Sequence, residues 1–208
     1  QNVNAYSNKS KRLSDLIFSI NDIKEIKRIR YTTSHPKDFT NDLIDVHSNC
    51  EKLMPLLHLP IQSGSTKILK SMNRGHTIEE YINTIDSLKK KKTNIKFSSD
   101  FIIAYPGETK NDFLKTLDLF KKVKFINSYS FIFSPRPGTP ASSLKKIDSE
   151  IAKERLRVFQ KTANSIKTNY RSSLINSSAK VLFENKIKNQ DQYFGRDEYF
   201  NSVIVNSN

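Results

Sequence analysis

The chain has 208 residues, 36% of them hydrophobic and 27% charged, enough for one full core plus a small additional module. Its 35 Lys and Arg outnumber 21 Asp and Glu, and the resulting formal charge of +14 favours a polyanionic partner, nucleic acid before a membrane surface. The sequence has no apolar run of the roughly 18 residues a membrane-spanning helix needs and no basic-then-apolar leader, and its single cysteine, Cys50, excludes an intrachain disulfide and suits a reducing cytosol.

Leu13, Leu16, Ile17, Ile20 and Ile23 recur at helical spacing and predict a first amphipathic helix. Arg28–Thr33 alternates as a short strand, and Thr40–Ser48 reads as a helix. Pro55–Ile61 is the next strand, followed by a short helix near Ser65–Met72. Thr77 and Glu80 form a capping box that opens a helix with Ile78, Tyr81, Ile82, Ile85 and Leu88 on one face. Ile95–Tyr105 is an apolar strand broken at Pro106-Gly107. A second capping box, Thr109 with Asp112, starts a helix carrying Phe113, Leu117 and Phe120. Ser128–Ser134 is the fourth strand, and a long helix runs from about Asp148 to Ser172. Val181–Glu184 and Tyr199–Val205 then read as strands of a small β-rich module, with a polar stretch containing Gly195 between them. Runs such as Lys89–Lys92, Lys121-Lys122 and Lys145-Lys146 fall at or beyond helix ends, where cations complement the helix dipole.

The alternation of strand and helix, repeated at roughly thirty-residue spacing, predicts βαβ units and a parallel sheet. If the sheet curls, one side faces helices and the other a lumen. Ile95, Phe97, Phe101 and Ile103 suit the helix side. Ser98, Asp100 and Ala104 are then left for the lumen, with Arg30, Thr32, Ser34, His58, Gln62, Ser128, Ser130 and Ser134 from the other strands. Such a lumen is polar and suited to a polar ligand, where ordinary barrels are filled with branched apolar residues.

The segments just past the strands carry the chemistry: Thr33–Pro36, Gln62–Ser65, Pro106–Thr109 and Ser134–Pro140. In α/β proteins ligands bind at the carboxyl ends of parallel strands. Gly64 and Gly107 permit close backbone approach, and the helix starts that follow offer free N–H groups to a carboxylate or phosphate. His35 and His58 are isolated, without a second ligand at metal spacing, and no G-x-S-x-G turn supports a serine triad.

Taken together, the stretches Gln1–Tyr6, Arg28–Pro36, Leu57–Ser65, Met72-Asn73-Arg74, Ser99–Ile103, Pro106–Thr109 and Ser128–Ala141 resemble the radical-SAM methylthiotransferases. The similarity runs in order along nearly the whole chain, most of all toward the branch that converts N6-isopentenyladenosine beside the tRNA anticodon to its 2-methylthio form. It implies an α/β fold: a partial radical-SAM (βα) barrel of parallel strands over residues 1–176, then the start of a small all-β TRAM domain, a tRNA-binding module, over residues 177–208. It further implies S-adenosyl-L-methionine (SAM) as cofactor, both methyl donor and radical source, and two 4Fe–4S clusters in the parent enzyme. Family members carry the cluster cysteines ahead of the segment beginning Gln1-Asn2. Cys50 alone supplies neither set, so the chain by itself is expected to be inactive and to belong to a longer protein.

By the same resemblance, Asn2 meets the methionine end of SAM, Gln62 and Ser63 its ribose, and Arg74 its carboxylate, while Asp100, Pro106 and Gly107 lie along the adenine. Arg136, in the stiff Pro-Arg-Pro-Gly-Thr-Pro loop, and Arg196, in the tail, face tRNA. The tail has Asp197 where the family usually has Thr, and Ser177-Ser178 in place of its usual Gly. A cytoplasmic monomer with no membrane association is expected. Two other readings stand beside this one. The first is a sister methylthiotransferase, acting on threonylcarbamoyladenosine in tRNA or on an aspartate of a ribosomal protein; Ser63, where the ribosomal branch has His, weighs against the latter. The second is a non-catalytic basic RNA-binding module.

Overall fold

The computed structural model describes residues 11–32 and 35–206. Its element order follows the βα alternation. Helix α1 (Leu13–Asn21), α2 (Asn41–Asn49), strand β1 (Leu56–His58), α3 (Thr66–Ser71), α4 (Ile78–Lys91), β2 (Lys96–Ile103), α5 (Lys110–Val123), β3 (Asn127–Ile132) and α6 (Ser149–Ser172) form the larger part. β1, β2 and β3 make a parallel sheet in that order, as short crossovers through helices require. β4 (Leu182–Lys186), β5 (Gln192–Arg196) and β6 (Ser202–Asn206) form a separate antiparallel sheet, which fits the start of a TRAM domain.

Both capping boxes form. Thr77 accepts from the Glu80 N–H while the Glu80 side chain accepts from the Thr77 N–H, and Thr109 and Asp112 do the same. The core lies between the sheet and its helices. Phe101 of β2 meets Phe159 of α6 at 4.8 Å, Phe120 of α5 at 5.4 Å and Phe125 at 5.5 Å between ring centroids. All four rings are buried, which fixes the odd-numbered residues of β2 on the helix side.

Three expectations need correction. The Arg28–Thr33 strand is reduced to one parallel bridge, Ile29 with Leu53, because Arg28 and Arg30 on either side of Ile29 are turned to the tail. Thr33 and Ser34 fall outside the described residues. β1 stops at His58, short of the expected Ile61, since Pro60 has no N–H for a ladder. Past it the Ile61 N–H donates to Ser99 Oγ at 3.0 Å instead. The tail has a further strand, β5, in the stretch read as a polar connection.

The side assignment also fails in β3. Asp100 pairs with Tyr129 and Ile102 with Phe131, and directly paired residues share a face. Tyr129 and Phe131 therefore lie on the open side with Asp100, 54% and 60% exposed, while Ser128 and Ser130 turn toward α6. A strand alternating Ser with aromatics reads naturally with its rings inward. Here the rings stand on the lumen side.

The tail docks beneath the amino ends of the strands. Arg28 donates to the carbonyls of Arg196 (2.6 Å), Asp197 (3.0 Å) and Lys180 (2.6 Å). The guanidinium of Arg30 lies 4.0 Å from the centre of the Phe200 ring, and Tyr199 OH donates to the Asn94 carbonyl at 3.0 Å. Asp197 closes the β5–β6 turn, accepting from the N–H groups of Tyr199 and Asn201, each at 2.8 Å. Asp197 thus has a local structural role in this turn.

Candidate functional site

At the carboxyl ends of the strands lies a cleft of about 680 Å³ that includes Gln62, Arg74, Tyr105, Phe133, Ser134 and Arg136 among its walls. Three backbone features shape it. Gln62, held between the Asp100 carbonyl and the Ile102 N–H at 3.0 and 2.9 Å, has a φ of +76°. Ala104 has a φ of +59°, and its N–H donates to Glu108 Oε1 at 3.2 Å. Non-glycine residues in this region are strained, and such strain concentrates where a fold is held for function. The turn that follows, with Gly107 at φ +82°, is fastened to α6 by the buried ion pair of Glu108 with Arg155 at 2.7 Å; Arg155 also donates to the Glu108 carbonyl at 3.0 Å. Burial raises the Glu108 carboxyl above its usual range, with Arg155 opposing it.

The walls are part apolar and part polar. Tyr105 and Phe133 meet edge to face at 4.9 Å, and Tyr105 OH donates to the Ser71 carbonyl at 3.1 Å. Arg74 donates to the Pro60 carbonyl at 3.2 Å. Burial lowers its pKa and the neighbouring Asp100 carboxylate opposes that. Asp100 in turn lies 3.5 Å from His58 Nε2, and His58 Nδ1 is 2.9 Å from Ser98 Oγ. Lumen and cleft are thus linked through one run of polar side chains.

Of the residues singled out in the sequence, the fold brings Gln62, Arg74 and Arg136 to one cleft, with Asp100 beside Arg74. It does not bring Ser63 there. That side chain is fully buried, its Oγ accepting from the Ser65 N–H at 3.2 Å, because Gly64 packs so tightly on α5 that a Cβ would sit 2.4 Å from the Thr116 Cα. Pro106 is buried and Gly107 exposed in the turn next to the cleft, whose wall is formed by Tyr105. Arg196 is remote: its guanidinium lies 4.2 Å from the Phe200 ring centre and its Nε 3.2 Å from Glu184. Asn2 lies outside the described residues. Sequence reasoning missed Tyr105, Phe133 and the Glu108–Arg155 fastening. Tyr105 and Glu108 flank the Pro-Gly turn and were legible by position, whereas Arg155 lies 47 residues from Glu108 and carries no signal.

Cys50 is 1% exposed within the core, and no group of three or more His, Cys, Asp or Glu among the described residues is placed to hold a metal. The residues present therefore do not fit an iron–sulfur cluster. They do fit a nucleoside-sized ligand bearing a carboxylate: aromatic walls, one amide and two guanidinium groups.

A chain from Pelagibacter ubique named tRNA-2-methylthio-N(6)-dimethylallyladenosine synthase is 55% identical over 100% of this chain and 48% of its own length. Proteins of the same name from Rickettsia canadensis and Zymomonas mobilis are 47% and 45% identical. The chain spans about half the length of the curated relatives it matches, 48%, 48% and 47% of these three. Among solved structures, archaeal Methanocaldococcus infernus Elp3 aligns over 79% of this chain and 52% of its own, at 14% identity and a TM-score of 0.46, a likeness too slight to carry an argument. Residues 6–120 match the model of the Radical SAM superfamily, more than half of the chain, and with parallel βα units ending in a strained, polar cleft, the chain belongs to that superfamily.

Proposed function

We propose that the chain is the cofactor-pocket portion of a tRNA methylthiotransferase that converts N6-dimethylallyladenosine beside the anticodon to its 2-methylthio derivative. The observation that carries this reading is the cleft in which Gln62, Arg74 and Arg136 converge over the Tyr105–Phe133 wall, in a chain 55% identical to a relative bearing that activity in its name.

In this reading the cleft would hold SAM through Gln62 and Arg74, and SAM would supply the methyl group from one molecule and radical chemistry from a second. The cluster ligands belong to the part of the relatives' length that this chain does not cover. The chain's own residues bind and orient. Arg74 pairs its planar guanidinium with the SAM carboxylate, Gln62 takes a ribose hydroxyl, and the aromatic wall excludes water from the adenosine. Asp100 sits beneath, beside Arg74 and 3.5 Å from His58 Nε2. Arg136, exposed at the rim, meets the RNA backbone, and the tail, with Arg196, extends that contact. We place the division between a barrel portion, 1–176, and a TRAM-like portion, 177–208, in the connection between α6 and β4. In this reading the protein works in the cytoplasm as a monomer. No helix among the described residues is long and apolar enough to cross a membrane.

The test is to express the whole gene product in cells lacking this modification and analyse tRNA nucleosides by mass spectrometry. The 2-methylthio derivative of N6-dimethylallyladenosine is expected, and Arg136→Ala should reduce it. Its absence, or appearance of the threonylcarbamoyl analogue instead, would reject the reading.

A further inference from the structure

Four lysines gather around Phe97 at the amino end of β2. Lys89, in the last turn of α4, holds its Nζ 5.8 Å from the centre of the Phe97 ring. Lys96 is the first residue of β2, its N–H donating to the Pro55 carbonyl at 2.8 Å. The Phe97 carbonyl accepts from the Ile126 N–H at 3.0 Å. That bond draws in the end of α5, with Lys122 in its last turn and Lys124 just past it. Three elements thus deliver like charges to one patch, at the opposite end of the strands from the cleft.

The neighbouring Lys91 and Lys121 are answered by Asp45 at 3.3 Å and Asp118 at 4.0 Å. None of the four has such a partner among the described residues. Burial lowers the Lys89 pKa, Asp86 opposes it, and Lys96, Lys124 and Lys122 lower it further. Helix dipoles account for Lys89 and Lys122, which sit in last turns. They do not account for Lys96, on a strand, or for Lys124, whose φ of +59° is a conformation that glycine adopts at least cost. Unanswered like charges repel one another, and a covering polyanion relieves that repulsion.

The surroundings select the kind of polyanion. Among the described residues no large hydrophobic from 86 to 97 or from 121 to 126 is exposed, so nothing there would enter a bilayer or anchor a protein partner. Ammonium point charges without a guanidinium fork suit a phosphodiester backbone, a repeated charge held without base contacts. β2 has 8 residues, so at about 3.3 Å per residue the patch lies roughly 25 Å from the cleft. A nucleotide in the cleft is beyond its reach, while phosphates further along the same RNA are not. Tyr199 of the tail meets the Asn94 carbonyl at 3.0 Å, so the patch continues onto the barrel–tail junction.

We propose that Lys89, Lys96, Lys122 and Lys124 form a further RNA-contact surface at the amino ends of the strands, which grips backbone phosphates at a distance from the cleft. It rests on the proposed function only for which RNA is held.

The experiment measures the affinity of the full 208-residue chain for whole tRNA between about 50 and 200 mM salt. Lys122→Gln combined with Lys124→Gln, both exposed, should weaken binding about tenfold at the lower salt and reduce the slope of log affinity against log salt by about 1.4–1.8. Lys153→Gln combined with Lys161→Gln, exposed on α6, removes the same charge and should leave the slope in place. Equal slopes in the two double variants would overturn the proposal, as would no binding by the unaltered chain at the lower salt. Binding to phosphatidylserine vesicles that the Lys122 and Lys124 changes abolish, with tRNA binding kept, would overturn it in favour of a membrane. If Arg136→Ala weakens tRNA while the Lys122 and Lys124 changes do not, the surface falls and the proposed function stands. If the slope drops as expected but the whole gene product yields no 2-methylthio nucleoside, the surface stands and the proposed function falls.

Discussion

The two sheets of this protein are held by different physics. β1–β3 are covered by helices on one face and anchored there by four interlocking phenylalanines, with polar residues on the open face. In β4–β6 only Gly195 is buried, and Leu182, Phe183, Ile204 and Val205 face outward at 41%, 51%, 57% and 42% exposure. The second sheet is joined to the first by a guanidinium on three carbonyls, one cation–π stack and a tyrosine hydroxyl. Burial of that kind is non-directional and additive, whereas a few polar contacts are each modest and lost together. The cleft therefore draws its rigidity from the parallel sheet, and the tail is positioned without contributing to it.

The largest effect should come from the first sheet. Phe101→Ala removes the ring at the centre of the cluster and should cost about 3–5 kcal/mol in urea unfolding, with tail and cleft signals lost together. Comparable loss in the tail alone would erase the distinction.

Acid should act on the same body. Burial pushes His47 down to about 3, and its Nε2 meets Tyr31 OH at 2.7 Å. The folded state resists protonating this ring while the unfolded state takes a proton near pH 6.5. Stability is thus complete above about pH 6.5 and falls as pH drops toward 3, by up to about 1.4 kcal/mol per unit. Urea midpoints measured from pH 7 to 4.5 should show the slope in the wild type and lose most of it in His47→Gln.

In the tail, Gly195→Ala drives a Cβ to 2.6 Å from the Leu182 carbonyl oxygen. It should cost about 1–3 kcal/mol and, by hydrogen exchange, loosen residues 182–206 while amides of β2 keep their protection. Equal loosening of both would show one cooperative unit.

The smallest effect is expected from Arg28→Gln, which removes the carbonyl clamp for about 1 kcal/mol. Exchange at Tyr199–Asn201 should quicken, and S-adenosylhomocysteine binding in the cleft should stay within twofold. A larger change in binding would mean that the tail shapes the cleft after all.

Much of this was legible in the linear chain because the signals are local. Capping boxes at Thr77 and Thr109, helical periodicity, and the Pro-Gly break after β2 each depend on residues a few positions apart, and local hydrogen bonding and backbone sterics decide them without help. So the βα order, and the placing of Gln62 and Arg136 past strand ends, could be read directly, whereas Arg74, in the loop after α3, was singled out by resemblance alone. Other features depend on contacts the sequence does not encode by proximity. The faces of β3 were set by its register with β2, which put Tyr129 and Phe131 on the open side. Ser63 lost its ligand-facing position because Gly64 closes onto α5. Arg155 found Glu108 and Arg28 found the tail carbonyls only when the chain was folded, since packing and desolvation act between residues that are neighbours in space alone.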